Sequence, residues 1–362
     1  MIDYLIIGSG VTGSFLAHQL APYGSLAVLE KENDVAQVQT THNSALVHSP
    51  VLITEDKGHL KATLAIEGNA FYHAHAEALG VPVLKNGALL IAKTPEEMEE
   101  VIKIADAAKK RGLDAFEILS GPAMMMLEPH LTDDVVGGLR LPTAMTADTY
   151  QLCQVLKDSA IASGGEFHFN QTVIAIDYVE GHFEVVTEDE TYHAKHVINA
   201  AGVMAEKIAQ MIEKEVPYQM RPTRGDYFVL SSQAPKLVTH TLFPMPSKSS
   251  KGILIIPQPD GTVRLGPTSH LQEALEDDQV SPEGLQEVKD GVNQLIKNIP
   301  YHEVIKTYVG IRSSTTHKDF YIKRSKEFEN FIHVAGIDSP GVTAAPGIAR
   351  YVAEEILGLK HR

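Results

Sequence analysis

A chain of 362 residues, 44% of them hydrophobic and 21% charged, has the length for two domains, each with its own core, and the balance of a soluble globular protein. A net charge of −15 sets the overall field against nucleic acid and anionic membrane surfaces, so neither is expected as the main partner, and a small anionic substrate needs a local cluster of Arg or Lys. The single Cys153 excludes an intrachain disulfide framework, a multi-cysteine zinc site and a cysteine-ligated iron–sulfur cluster, and it points to a reducing compartment.

Residues 4–7 read as a buried strand, followed by the turn Gly8-Ser9-Gly10-Val11-Thr12-Gly13, a helix, a second strand at 26–29 and the acid Glu30. This is G-x-G-x-x-G in the βαβ context of a dinucleotide-binding unit. Gly8 permits the tight turn, Gly10 lets the backbone approach a pyrophosphate, and Gly13 lets helix and strand pack closely. The helix N-terminus offers N–H groups and a partial positive charge to the phosphates. Glu30, 22 residues after Gly8, is placed to accept hydrogen bonds from a ribose. A glycine turn alone occurs wherever a chain reverses, but strand, helix, second strand and terminal acid together single out the nucleotide reading. The fingerprint starts at residue 8, so no signal or transit peptide is expected, and no apolar run approaches about 18 residues. The expectation is a cytoplasmic protein, with peripheral contact at the inner face of the membrane left open.

The polar stretch Thr40-Thr41-His42-Asn43-Ser44 leads to a helical pattern over 60–79. Residues 83–92 alternate as strand, and 95–111 predict a charged, exposed helix with Pro95 in its first turn. This section reads as an insertion between parts of a nucleotide domain. A helix is expected over 150–163, ending at Gly164-Gly165, then strands at 172–178, 183–187 and 196–198, the last running into Asn199-Ala200-Ala201-Gly202. Small residues after a strand suit close approach to a cofactor. Residues 224–312 predict an antiparallel sheet with one helix over 282–298, and the chain closes with a strand at 331–335 and a helix over 345–357. The fold class is therefore α/β: a discontinuous Rossmann-like nucleotide-binding domain (1–82, 140–215 and 325–362) plus a smaller α+β substrate domain (83–139 and 216–324). No internal repeat or low-complexity segment is visible.

A second glycine fingerprint and a C-x-x-C pair are both missing, which disfavours a two-nucleotide reductase of the disulfide type. The glycine turn with Glu30-Lys31, the segment Thr41-His42-Asn43-Ser44-Ala45-Leu46-Val47-His48-Ser49, Asn199 to Gly202, and Ser339-Pro340-Gly341-Val342-Thr343-Ala344-Ala345-Pro346 resemble the D-amino-acid-oxidase-like superfamily of FAD enzymes. Within it the chain is similar to the branch of glycerol-3-phosphate oxidases and dehydrogenases and L-2-hydroxyglutarate oxidoreductases. The resemblance spans nearly the whole length and implies non-covalent, extended FAD with its ring between the two domains. By this resemblance Gly8, Gly10, Val11, Thr12 and Gly13 cradle the cofactor, and Glu30, with Lys31 beside it, holds the adenosine ribose. Thr41, His42, Asn43 and Ser44 form the contact stretch for the pyrophosphate and ribityl region, Val173 meets the adenine through its backbone, and Ala201 and Gly202 approach the cofactor closely. Gly341, Val342 and Thr343 present N–H groups to the pyrimidine end of the flavin, where a helix N-terminus favours the negative charge of the reduced ring.

The resemblance also assigns His48 as the base that takes the hydroxyl proton while the carbon-bound hydrogen leaves as hydride. An imidazole, with an unperturbed pKa of about 6.5, is largely neutral near pH 7 and suits that task. His42 is the alternative among 17 histidines. Arg312, in Val309-Gly310-Ile311-Arg312-Ser313, matches the arginine that grips the anionic group of the substrate, and a guanidinium fork pairs bidentately with carboxylate or phosphate. Lys251 matches a phosphate-binding lysine of the glycerol-3-phosphate oxidases; Lys248 and Lys251 read equally as solvated loop charges. Ser339 matches a substrate-contacting position, or is a turn serine. Two departures stand out: Ala45 replaces a glycine, and Pro50 follows Ser49 where a glycine is usual, so the loop after His48 is expected to be reshaped, with Val51-Leu52-Ile53 narrowing the pocket or packing under it.

The function implied is oxidation of sn-glycerol 3-phosphate to dihydroxyacetone phosphate, with oxygen (giving hydrogen peroxide) or a quinone as acceptor. L-2-hydroxyglutarate oxidation, amine or amino-acid oxidation and a non-catalytic flavin-binding role are the alternatives. The chain stops soon after the last flavin helix, which favours a self-contained enzyme over one with an iron–sulfur extension. The oligomeric state is not legible.

Overall fold

The computed structural model describes residues 1–234, 236–246, 252–277 and 279–360. The chain opens with β1 (Ile2–Ile7), α1 (Val11–Leu20), β2 (Leu26–Leu29), β3 (Leu46–Val47) and α2 (His59–His75). Next come β4 (Val83–Leu84), β5 (Ala88–Ala92), α3 (Pro95–Lys110), β6 (Glu117–Ser120), α4 (Gly121–Leu127), β7 (Gly137–Leu141), β8 (Met145–Ala147) and α5 (Thr149–Ala162). The middle holds β9 (Glu166–His168), β10 (Val173–Val179), β11 (His182–Thr187), β12 (Thr191–Asn199) and α6 (Ala205–Gln210). Then follow β13 (Thr223–Leu230), β14 (Thr241–Pro244), β15 (Leu254–Pro257), β16 (Val263–Gly266), β17 (His270–Leu271) and α7 (Pro282–Asn293). The last elements are β18 (Val304–Arg312), β19 (Tyr321–Arg324), β20 (Phe331–Ala335) and α8 (Gly341–Tyr351).

The first sheet runs β10-β11-β12-β1-β2-β9, with β20 and β19 joining at β12. Tyr4 to Ile7 of β1 and all of β2 are unbroken apolar, buried runs because the sheet is parallel here and covered on both faces. β12 divides along its length: its first half pairs antiparallel with β11, and Val197 to Asn199 pair in parallel with β20. Its side chains accordingly alternate between buried and exposed at first, then are buried without interruption. One core, with Phe15, Leu16, Val28, Tyr72 and Ile348, fills the side of α1, α2, α5 and α8; a second, with Leu5, Phe183 and Val197, fills the other face.

The second sheet runs β17-β13-β16-β15-β14-β5-β7-β6, with β18 on the free side of β13. It is antiparallel except where β14 pairs in parallel with β5, so residues 88–141 contribute strands to the sheet built mainly from 223–312. The strand β7 carries little strand signal because it begins with two glycines. A Cβ on Gly138 would lie 2.1 Å from the Leu90 carbonyl oxygen, and one on Gly137 2.7 Å from that of Leu119. A small third sheet, β3-β8-β4, pins the segment just before His48. No helix among the described residues is long and apolar enough to cross a membrane.

The last helix starts at Gly341, four residues before the start expected from the apolar pattern, because Pro346 lies inside it rather than at its first turn. Proline at 346 has no N–H for the Val342 carbonyl one turn back. The buried hydroxyl of Tyr72 on α2 donates to that carbonyl instead, at 2.9 Å. The two helices approach closely at Gly68, where a Cβ would fall 1.7 Å from the Thr343 carbonyl oxygen. Tyr72→Phe should therefore strand a carbonyl and cost about 1–3 kcal/mol in urea unfolding. Adding Pro346→Ala, which supplies the missing N–H, should recover part of that loss; a simple sum of two losses would contradict the assignment.

Candidate active site

A continuous cavity of about 1170 Å³ starts at the β1–α1 turn, passes Glu30 and Val173, and ends between the first turn of α8 and the C-terminal end of β18. Gly8 takes φ +99°, and a Cβ there would lie 2.6 Å from the Ala200 carbonyl oxygen, so the turn is closed against the strand end that carries Ala201 and Gly202. Gly13 stands behind the wall as a packing residue, its would-be Cβ 1.9 Å from the Gly8 oxygen. Gly8, Gly10, Val11 and Thr12 line the cavity, although the Val11 N–H is taken by the Thr40 hydroxyl at 2.9 Å. The Glu30 carboxylate is fixed at the mouth, accepting from the Ser9 N–H at 2.7 Å, the Ser9 hydroxyl at 2.8 Å and the Glu32 N–H at 3.0 Å. Lys31 beside it bridges to Glu276 at 2.5 Å; burial opposes its charge, but Glu276 and Glu32 hold its pKa above the usual lysine value.

The stretch after Thr40 is folded by Asn43. Its amide donates to the carbonyls of Gln39 at 3.0 Å and Thr40 at 2.8 Å, its side-chain oxygen accepts from the Ala45 N–H at 2.6 Å, and its carbonyl accepts from Tyr308 at 2.8 Å and from Arg264. His42, Asn43 and Ser44 line the cavity, whereas Thr41 turns its hydroxyl to the Ala36 carbonyl. The His42 ring lies within hydrogen-bond distance of the Val38 carbonyl, at 2.9 Å, and meets Tyr308 edge-on. Ala45 adopts φ +54°, in the left-handed region, so the alanine that replaces glycine is strained there.

His48 follows β3 directly and is buried. Its N–H donates to the Thr343 hydroxyl oxygen at 2.9 Å, its carbonyl accepts from Asn69 on α2 at 3.0 Å, and its ring lies 6.0 Å from that of Phe243. Nε2 faces the Ser339 hydroxyl at 3.4 Å. Gly341 and Val342 line the cavity beside Ser339, and Thr343 sits behind them holding His48. By helix geometry the N–H groups of the first turn of α8 beyond Gly341 have no acceptor within the helix, while the Gly341 N–H itself bonds the Asp338 carbonyl. Pro50 starts a single 3₁₀ turn whose carbonyls are gathered by Arg111, at 3.3 Å from Pro50 and Val51 and 2.6 Å from Ile53. The reshaped loop splits in effect: Val51 packs into the core beneath, and Ile53 lines the cavity.

Arg312 ends β18, opposite Thr223 of β13, and enters the same cavity. The Thr268 carbonyl accepts from Nη2 at 3.2 Å and the Arg224 carbonyl from Nη1 at 3.5 Å, which fixes the plane of the fork. Lys248 and Lys251 lie outside the described residues. The structure thus brings Glu30, Val173, His48, Arg312 and Ser339 to one cavity from five separate parts of the chain.

Several wall residues carried no signal that the sequence reading used. Tyr227 is buried against Ser44 and Arg312 and stacks on Tyr308 at 4.6 Å; burial pushes its hydroxyl pKa up, with Arg312 and Arg264 opposing. Lys61 is buried, pairs with Asp338 at 2.7 Å and lies over the Phe320 ring. A signal for Lys61 did exist: it stands in register with Ala65, Gly68 and Tyr72 on the buried stripe of α2, where a lysine needs a partner. Lys318 is a further, exposed cation at the rim.

The family model described as DAO, FAD dependent oxidoreductase, matches residues 3–355. A glycerol 3-phosphate dehydrogenase from Caloramator mitchellensis is 31% identical over 98% of this chain and 73% of its own length. An L-2-hydroxyglutarate dehydrogenase from Escherichia coli is 29% identical over 75% of this chain and 64% of its own. Among solved structures, a dithionite-reduced L-α-glycerophosphate oxidase from Mycoplasma pneumoniae with FAD bound superposes with a TM-score of 0.92 at 25% identity, over 99% of this chain and 95% of that one.

The strain at Ala45 is directly testable. Ala45→Gly should raise the stability of the protein by up to about 1 kcal/mol in urea unfolding, by relieving the left-handed backbone; a loss would show that the turn does not depend on that conformation.

Proposed function

Since the chain belongs to the DAO family of FAD-dependent oxidoreductases, we propose that it oxidises sn-glycerol 3-phosphate to dihydroxyacetone phosphate and passes the electrons to oxygen or a quinone. The observation that carries this reading is the pairing of His48 Nε2 with Ser339, 3.4 Å apart, at the end of the cavity that Arg312 also enters. The residues present fit the cofactor: a glycine turn with no room for a Cβ, a fixed carboxylate at the ribose position and a helix N-terminus at the far end. Bound FAD supplies a hydride acceptor for the carbon-bound hydrogen of the alcohol.

The chain's own residues do the rest. His48 takes the hydroxyl proton at Nε2 as the carbinol becomes a ketone, so one proton and one hydride leave and the carbon skeleton is untouched. Thr343 and Asn69 fix the backbone on either side of His48, which keeps the imidazole from turning away from the substrate. Arg312 takes the phosphate, oriented by the two carbonyls behind it. Lys318 adds positive potential at the rim of the cavity in an otherwise acidic chain, whereas Lys61 is paired with Asp338. Lys318 favours a second reading, L-2-hydroxyglutarate, whose distal carboxylate needs a cation beyond Arg312.

The test is anaerobic mixing of the FAD-loaded protein with each substrate while the yellow flavin absorption is followed. Glycerol 3-phosphate should bleach it quickly, and His48→Asn should slow bleaching by about a hundredfold or more with FAD still bound. Arg312→Ala should raise the substrate concentration needed by at least about tenfold. Bleaching by L-2-hydroxyglutarate or an amino acid alone would overturn the phosphate substrate and leave the fold and cofactor intact.

A further inference from the structure

On the outer face of β10-β11-β12, outside the residues that line the flavin cavity, we propose a binding site for a divalent first-row transition metal of the Zn²⁺ type, made by His182, Glu184 and His193. The site follows from strand register. Glu184 on β11 lies directly opposite His193 on β12, and His182 is two residues before Glu184, so all three project from one face of the hairpin. Along both strands the alternation of buried and outward residues puts Phe183, Val185, Tyr192 and Ala194 in the core and these three toward solvent.

The donor atoms already have metal-binding spacing. His182 Nε2 and His193 Nδ1 are 3.2 Å apart, and the Glu184 carboxylate oxygen is 3.6 Å from the second and 3.9 Å from the first. A point in the plane of that triangle lies about 2.1 Å from all three, the bond length zinc takes to imidazole nitrogen and carboxylate oxygen. Their side chains are 19%, 34% and 47% exposed for His182, Glu184 and His193, which leaves the fourth position open to water. Two imidazole nitrogens and one carboxylate suit zinc, cobalt, nickel or copper and disfavour calcium and magnesium, which take oxygen ligands.

The surroundings point the same way. Asp177 on β10 lies directly opposite Glu184, so two carboxylates face each other across the strands, an arrangement that is unfavourable without a cation. The neighbouring Lys195 is turned away and paired with Asp3 at 2.8 Å, so its charge is directed elsewhere. A bound ion would tie β11 to β12 across the 188–190 turn and stiffen the outer part of the first sheet.

The experiment uses tag-free, FAD-loaded protein freed of metal with EDTA, then titrated with Zn²⁺ by calorimetry and with Co²⁺ by visible absorption. Roughly one equivalent per chain should bind, with cobalt ligand-field bands and a raised melting temperature. His193→Ala and His182→Ala should each weaken binding by more than about tenfold, and the visible bands should be lost, with the flavin spectrum unchanged. Glu184→Gln, which keeps the shape of the side chain, provides the same test should a histidine variant fail to fold. Lys195→Ala should leave binding intact. No uptake, or uptake that survives the His182→Ala/His193→Ala double change, overturns the proposal.

Discussion

The first turn of α8 is the point from which the rest of the site is hung. Pro346 leaves the Val342 carbonyl without its helical partner, Tyr72 on α2 supplies one, and Gly68 lets the two helices close to that distance. With the turn fixed, the Thr343 hydroxyl is positioned to accept the His48 N–H, and the Gly341 and Val342 edge faces the cavity. A local deficit in one helix, an unfilled carbonyl, thus becomes a tertiary constraint that ties the helix to its neighbour and, one residue on, to the histidine segment. The positive end of the helix dipole thereby lies at the cavity wall.

The second sheet is joined to this arrangement at Asn43. The carbonyl of that residue accepts from Tyr308 on β18 and from Arg264 on β16, while its side chain ties the Gln39–Ala45 turn together. Gly310 makes the junction possible, since a Cβ there would lie 1.8 Å from the His42 carbonyl oxygen. The same strand ends two residues later at Arg312. The contact that seats the second sheet on the Gln39–Ala45 turn therefore also sets where Arg312 stands relative to His48.

Charge is distributed in keeping with this geometry. The chain carries a net −15, yet Arg312, Lys61, Lys318 and Lys31 all reach the cavity wall. Lys31 and Lys61 are held by the carboxylates of Glu276 and Asp338, while Arg312 is held by neutral carbonyls, which leave its full charge for an anion. Among the described residues, that difference separates Arg312, set by neutral carbonyls, from Lys31 and Lys61, each paired with a carboxylate.

The sequence by itself determined the βαβ unit, the glycine turn, the role of Glu30 as the acid ending β2, and the helices and strands whose periodicity is unbroken, because each of these depends on residues within a turn or a strand of one another. It also marked His48, Arg312 and Ser339 through motifs. It left 112–147 unread, since β7 is built on Gly137 and Gly138, whose use is close packing between strands, and it started the last helix late because a proline inside a helix is legible only once Tyr72 is beside it. What only the tertiary structure decided is the convergence: the N–H of His48 meets a hydroxyl 295 residues away, and Tyr227, with Tyr308 stacked against it, and Lys61 reach the wall through strand pairing and helix packing. The physical reason is that backbone periodicity acts over a few residues, whereas the position of a side chain in a cavity is set by hydrogen bonds and close contacts between elements distant in the chain.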